Sequence, residues 1–309
     1  MKTIKLLFAI VFSISLTSCV VVNDDGPIVD DFVSLEEVLS GYDLWYVDFH
    51  RTTGTTEIPY LSKAFTVSFR NGVLYANNNI VDIGRTGNGL GVEVGAYRTF
   101  TGGVVETLHN LDGTYSFEVI QLSPNEIRLN DLQSNVSYFL IGYQRNNFDY
   151  DKLFYDNIEY FLQEFVAWER TDARNGTANP FDNEHFLQFT PENNTTFYSS
   201  QDPFGTNVDN INWDYVGSYT IDDIRDFNDL KFLTLYYDGG DTEEFELSVI
   251  NDETIELYHI NTQTTYVFSG RGFIQYLRGD SKTSKPAVRN SGRKRTKIKR
   301  KEIDRKILK

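Results

Sequence analysis

The chain repeats itself, and the repeat limits what it can fold into. Phe117-Glu118, Ile127, Leu129, Tyr138 and Gly142 recur as Phe245-Glu246, Ile255, Leu257, Tyr266 and Gly270, each 128 positions later without a gap. Further upstream, Leu39, Trp45, Gly95 and Tyr97 correspond to Leu162, Trp168, Gly217 and Tyr219, at offsets of 122 or 123. A drift of a few positions is what loop insertions produce. Copies of about 110–120 residues are a common domain size, and two copies are too few for a solenoid or propeller.

Within each copy the apolar residues alternate. Phe117 and Val119 pair with Ile127 and Leu129 in the first copy, and Phe245, Leu247 and Val249 with Ile255 and Leu257 in the second. Phe65-Thr-Val-Ser-Phe69 has the same period and runs into Asn71-Gly72, a hairpin turn signal. Ser-Pro-Asn at 123–125 and Asn-Asp-Glu at 251–253 separate paired strands at matching places. The 23 Phe and 19 Tyr favour strands as well.

Each copy opens on a short helix. Ser34-Leu-Glu-Glu37 has the form of a capping box. Residues 151–162 put Leu153, Phe154, Ile158, Phe161 and Leu162 near one helical face. A tryptophan strand follows each helix, carrying Trp45 or Trp168. The expected fold is mostly β, with two tandem antiparallel domains of about eight strands, each preceded by a short helix. Meander barrels and sandwiches both satisfy the pattern. The expected boundaries are 33–147 for the first β domain and 148–280 for the second.

Lys2 and Lys5 precede an apolar stretch from Ile4 to Leu16. About a dozen residues are too few to cross a ~30 Å hydrocarbon core, which takes roughly 20, so residues 1–18 read as a secretory signal peptide. Leu16-Thr17-Ser18-Cys19 has the form of a lipobox, with cleavage between Ser18 and Cys19 and a lipid (diacylglycerol, with palmitate-type chains) on the Cys19 thiol. Cys19 is the single cysteine, which excludes an intramolecular disulfide or a cysteine zinc cluster. Residues 19–32 read as a tether. The mature chain is expected in the cell envelope, at the outer membrane, held by lipid at Cys19.

Charge is partitioned along the chain. Residues 281–309 hold 13 of the 29 Lys and Arg with only Glu302 and Asp304 against them, while residues 19–280 carry 14 basic side chains against 42 acidic ones. So acidic a body argues against binding DNA or RNA. The tail reads as a basic disordered segment able to meet anionic surfaces, with nothing in it to pack into a core. Its removal is therefore expected to leave stability unchanged.

The opening Leu39-Ser-Gly41-Tyr-Asp-Leu-Trp45 followed by a meander resembles the lipocalin-like domains of Bacteroidetes lipoproteins. The stretches Thr17-Ser-Cys-Val-Val-Val-Asn, Tyr42-Asp-Leu-Trp-Tyr46 and Arg289-Asn-Ser-Gly-Arg-Lys-Arg295 resemble a flavobacterial lipoprotein group. That group is sometimes labelled nicotinic acid mononucleotide adenylyltransferase. The label implies a nucleotide-binding fold with paired histidines at a helix N-terminus and positive charge at a pyrophosphate. His50, His109, His185 and His259 are instead scattered singly. Gly84-Arg-Thr-Gly87-Asn-Gly89-Leu-Gly91 lacks the order of a dinucleotide loop and stands in a β context.

No other catalytic, metal or cofactor motif is legible. Asp222-Asp223, Asp226 and Asp229, and Asp238-Gly-Gly-Asp241-Thr-Glu-Glu244, lack calcium-loop spacing and read as solvated turns. Trp45, Trp168 and Trp213 are the candidate ligand-lining residues, set against a plain role in the core. The expected function is non-enzymatic binding of a small molecule or protein through duplicated β domains. An enzyme, either a nucleotidyltransferase as the group's label implies or an unrecognised hydrolase, and a structural envelope role are the alternatives.

Overall fold

A computed structural model describes residues 33–78, 80, 90–190, 195–274, 295 and 297–306. The proposed signal peptide, Ser18, Cys19 and most of the glycine-rich 84–91 segment lie outside the described residues. Helix α1 (Leu35–Ser40) starts on the expected capping box. Ser34 N donates to Glu37 Oε2 at 2.7 Å and Glu37 N to Ser34 Oγ at 3.2 Å. The Ser34 backbone and hydroxyl hydrogen bonds hold the Glu37 carboxyl below its usual range.

Eight strands follow: β1 (Leu44–Thr53), β2 (Thr66–Arg70), β3 (Val73–Asn77), β4 (Val92–Phe100), β5 (Val104–His109), β6 (Gly113–Ser123), β7 (Glu126–Asp131) and β8 (Ser137–Tyr143). Each pairs antiparallel with the next, and β8 returns to β1. The choice between barrel and sandwich is thereby resolved: the sheet is a closed meander barrel, which leaves no free edge. The turn signal at 71–72 is used as read, with Asn71 and Gly72 both at positive φ between β2 and β3.

The second copy repeats the plan through β9 (Phe165–Arg174), β10 (Phe186–Phe189), β11 (Thr196–Ser200), β12 (Tyr215–Ile224), β13 (Phe227–Tyr237), β14 (Thr242–Asn251), β15 (Thr254–His259) and β16 (Thr265–Phe273). Pairing of β16 with β9 closes it. The duplicated residues occupy duplicated registers. Phe117 lies opposite Asp131 and Phe245 opposite His259; Trp45 lies opposite Gly142 and Trp168 opposite Gly270. Each tryptophan indole donates to a helix-end carbonyl six residues back, Leu39 O or Leu162 O, at 2.8 Å. The glycines are there because a ring crosses above them: a Cβ on Gly142 would sit 2.5 Å from the Tyr42 ring, and one on Gly270 2.5 Å from the Phe165 ring.

The second helix differs from the expectation. The apolar face over residues 151–162 is buried as read, but the helix breaks into α2 (Tyr150–Asp156) and α3 (Ile158–Leu162). Asn157, at the break, turns its side-chain amide to Leu153 O (2.9 Å) and to the Tyr46 hydroxyl on β1 (3.1 Å). That long-range tie pulls the residue out of helical geometry (φ −118°, ψ 29°). Tyr46 marks a wider pattern on β1. Trp45 and Val47 point into the first barrel, whereas Leu44 and Tyr46, with Phe65, join α2, α3 and the second barrel's interior in one apolar cluster.

The basic tail is the main correction. A segment read as disordered is packed over much of its length from 295 to 306. Strand β17 (Glu302–Ile303) lies parallel to β12 at Asp223–Ile224. It takes the stretch of β12 edge beyond Ser218, where pairing with β11 has ended. Ile303 packs with Ile224, Phe232 and Ile260. Arg295 is buried, donating to Val47 O (3.0 Å) and Ala64 O (2.5 Å) between the rings of Phe49 and Phe65. Arg300 makes a two-pronged pair with Glu159 of α3 (2.7 and 2.5 Å), and Arg305 does the same with Glu246 of β14 (2.5 and 2.6 Å). The acidic stretches expected as solvated turns lie partly on strands and meet the tail: Asp223 of β12 faces Arg300 at 3.8 Å and Glu244 of β14 pairs with Lys306 at 2.7 Å. Composition predicted disorder because it counts the tail's charges alone; the body supplies the opposite charges and a strand edge.

Candidate ligand site

The three tryptophans expected to line a ligand cavity lie in separate surroundings. Trp45 and Trp168 are fully buried at the helix-capped ends of their own barrels. Trp213 stands outside the second barrel, 6.1 Å from the Tyr198 ring. The opposite end of the second barrel, distal to α3, holds a different set of side chains.

Strand alternation builds this set. On β9, Trp168 points inward, and so does Arg170 two residues on. On β13 the inward series Leu233, Leu235 ends in Tyr237; on β15, Ile255 and Leu257 end in His259; on β14, Phe245 is preceded by Glu243. The core is therefore apolar in its lower layers and polar in the last layer before the mouth. The chain between β9 and β10 folds over this mouth as a 3-10 turn (Pro180–Asn183), plugging it with Phe181 and bringing in Asp182 and Glu184.

The polar groups hold one another. Tyr237 donates to Glu184 Oε2 at 2.7 Å. Tyr266 donates to Asp182 Oδ1 at 2.6 Å and accepts from Asn179 at 2.9 Å. His259 Nε2 meets Glu243 Oε2 at 2.6 Å, and its Nδ1 meets Thr262 Oγ1 at 2.6 Å. Three atoms of this layer are left without a partner among the described residues: Asn179 Oδ1, Ser199 Oγ and, the one charged group of the three, Arg170 Nη1. Arg170 is 8% exposed. Its guanidinium lies between the rings of Phe204 (5.4 Å) and Tyr266 (5.7 Å). Phe204 is 54% exposed, stacked on His185 at 4.1 Å, and forms the outer lip of the mouth. The neighbouring Glu169, which alternation turns to the other face of β9, is held by Arg271 and the Gly205 N–H.

Burial shifts these groups. It pushes Glu184 up from 4.5 to about 7; the Glu243 charge adds to this, while Ser199, Tyr237 and Arg170 work against it. Ser199 faces the carboxyl without a hydrogen bond of good geometry. Burial and the bond to Asp182 push Tyr266 up to about 12, and burial pulls Arg170 down. The Glu184 shift carries a pH signature. From about pH 4.5 to about 7 the folded protein holds a proton that the unfolded chain has lost, so stability from this group falls across that window as pH rises. Glu184→Gln should remove this slope, seen as the difference between the two proteins' urea midpoints measured from pH 4.5 to 7.5.

The first barrel's mouth is built from the same positions with other residues. Tyr138, the twin of Tyr266, accepts from Ile58 N at 2.8 Å, and Tyr60 plugs the mouth, stacked on His109 at 5.1 Å and bonded to Thr107. At the place of Arg170 stands Val47. Arg170 and Glu184 stand in no motif spacing, which hides them in the sequence. The available signal was a charge on the tryptophan strand, two residues past the Trp, where the first copy has valine.

Among the described residues, no group of three or more His, Cys, Asp or Glu converges as a metal site. No protein-family model matches the chain, and neither does any curated protein or solved structure, so the reading of this mouth rests on its geometry.

Proposed function

We propose that this chain is a lipid-anchored envelope protein whose second barrel binds a small molecule at its polar mouth, without catalysing a reaction on it. The observation that carries the binding role is Arg170. A buried guanidinium with an unpaired donor is costly in an unliganded fold, and perturbed titratable groups gathered at one partly apolar end of a barrel are a mark of a candidate ligand site. The interior of an eight-stranded barrel is wide enough either to fill with side chains or to hold one small ligand. The anchoring half of the proposal rests on the sequence from Lys2 to Cys19. Two or three acyl chains on Cys19 would hold the protein stably, where one would bind only marginally.

Two measurements test the halves separately. Metabolic labelling with a fatty-acid analogue should mark the wild-type protein and leave Cys19→Ala unlabelled; equal labelling would remove the anchor. Small-molecule mixtures screened by NMR against the purified chain should shift resonances of Arg170, Glu184 and Tyr237. Shifts confined to the first barrel, or release of chemically altered compounds, would overturn non-enzymatic binding at this mouth.

A further inference from the structure

We infer that the second barrel's mouth takes a small monocarboxylate with an apolar body, its carboxylate on Arg170 and its body against Phe204. The inference deepens the binding role proposed above and rests on it. A planar guanidinium with a free Nη1 matches a carboxylate, which accepts at two oxygens and adds a charge-assisted bond. The rings of Phe204 and Tyr266 flank the guanidinium at 5.4 and 5.7 Å, so the carboxylate's partner is fixed between two apolar faces. Phe204 leaves about half its ring surface open at the lip, which an aryl or alkyl body can cover.

The surrounding charges select the ligand's charge. Arg170 faces Tyr266 on β16 and Asp182 and Glu184 on the plug, while Glu184 also faces Tyr237 on β13, Glu243 on β14 and Ser199 on β11. His259 on β15 is joined to Glu243. With three carboxyl groups close by and an apolar lip, phosphate, which has no apolar body to cover Phe204 and gains a second charge as pH rises, is held less well than a monocarboxylate with an aryl or alkyl body. Glu184 sets the pH dependence. Protonated, it adds no negative charge near Arg170; ionised, it competes for the guanidinium. Its carboxyl titrates near pH 7 in the unliganded protein. Binding to the protonated form alone therefore weakens about tenfold between pH 6 and pH 8, as the competent fraction falls.

The experiment is calorimetric titration of the purified full chain with benzoate, benzamide and inorganic phosphate, with Arg170 side-chain resonances followed by NMR. Benzoate should bind at pH 6 and shift the Arg170 resonances, with benzamide and phosphate at least tenfold weaker. Arg170→Gln, at a position whose Nη1 has no hydrogen bond to lose among the described residues, should fold and should lose benzoate binding at least tenfold. Glu184→Gln should bind benzoate with equal affinity at pH 6 and 8. Tighter binding of phosphate or benzamide than of benzoate would overturn the carboxylate assignment and leave the ligand site standing. Undiminished benzoate binding by Arg170→Gln would overturn the placement on Arg170. If benzoate fails while a neutral or cationic compound from the mixtures shifts the same resonances, the inference falls alone. If nothing shifts them, it falls together with the proposed binding role.

Discussion

Truncation before Arg295 is expected to lower the melting temperature by about 10 °C. The reason is Glu159, a carboxylate on α3 that is 7% exposed and answered by both prongs of Arg300. Removing one member of a buried pair leaves the other charge stranded, at about 3–5 kcal/mol, and a protein of this size moves about 2–4 °C per kcal/mol. Glu246 of β14, 5% exposed and answered by both prongs of Arg305, is stranded in the same way and adds to the loss; the remaining contacts of the tail change less. Arg225 with Glu302 and Asp304 is a surface network in which all three side chains are more than half exposed, and such pairs contribute little. Arg295 makes good bonds, yet its own burial pulls its pKa down to about 10, so desolvation offsets much of that gain. A double variant, Glu159→Gln with Arg300→Gln, should therefore cost much less than truncation, since it leaves no buried charge. Calorimetry of the three proteins checks this. A truncated chain melting within 2 °C of wild type would mean that the tail lies on the body without supporting it.

The second large effect is expected at Trp168. Its side chain is fully buried, packed edge-on against Phe161 (5.5 Å) and Phe165 (4.8 Å), and its indole N–H serves the last turn of α3. Trp168→Ala should cost about 3–5 kcal/mol for the cavity, with a further loss from the unpaired Leu162 carbonyl. Trp45→Ala should cost a similar amount, because Trp45 holds the same register and the same bond to a helix end. Trp213 is only partly buried, near the Tyr198 ring, so Trp213→Ala should cost clearly less than either, about 1 kcal/mol. Urea midpoints for the three variants decide the matter. A cost at Trp213 equal to that at Trp168 would remove the distinction between core and rim tryptophans.

The duplicated hairpins were legible because their information is local and periodic. Residues at 117–142 and 245–270 alternate with the pleat, and a shift of one residue would expose every apolar side chain. The Ser34 capping box and the Asn71-Gly72 turn were legible for a similar reason, since each depends on a few neighbours in sequence. The candidate site was not legible. Arg170, Glu184, Tyr237, Glu243 and His259 come from the plug and four strands, and their common property is height along the barrel axis. No spacing in the sequence encodes that height. It follows only once strand registers and the inward phase of each strand are known.

Local pattern suffices for the two-copy plan, the strand period, the tryptophan strands and the charge imbalance between body and tail. Tertiary structure decided the rest. Closure of each meander into a barrel depends on β8 meeting β1 and β16 meeting β9, pairings across most of a domain that local patterning does not contain. The break at Asn157 depends on a hydroxyl on β1, 111 residues away. The tail is the clearest case. Its side chains have too little apolar surface to order themselves, and read alone it can only be disordered. Set beside Glu159, Glu246 and the open edge of β12, the same charges and the same backbone groups find partners, and the segment becomes part of the fold.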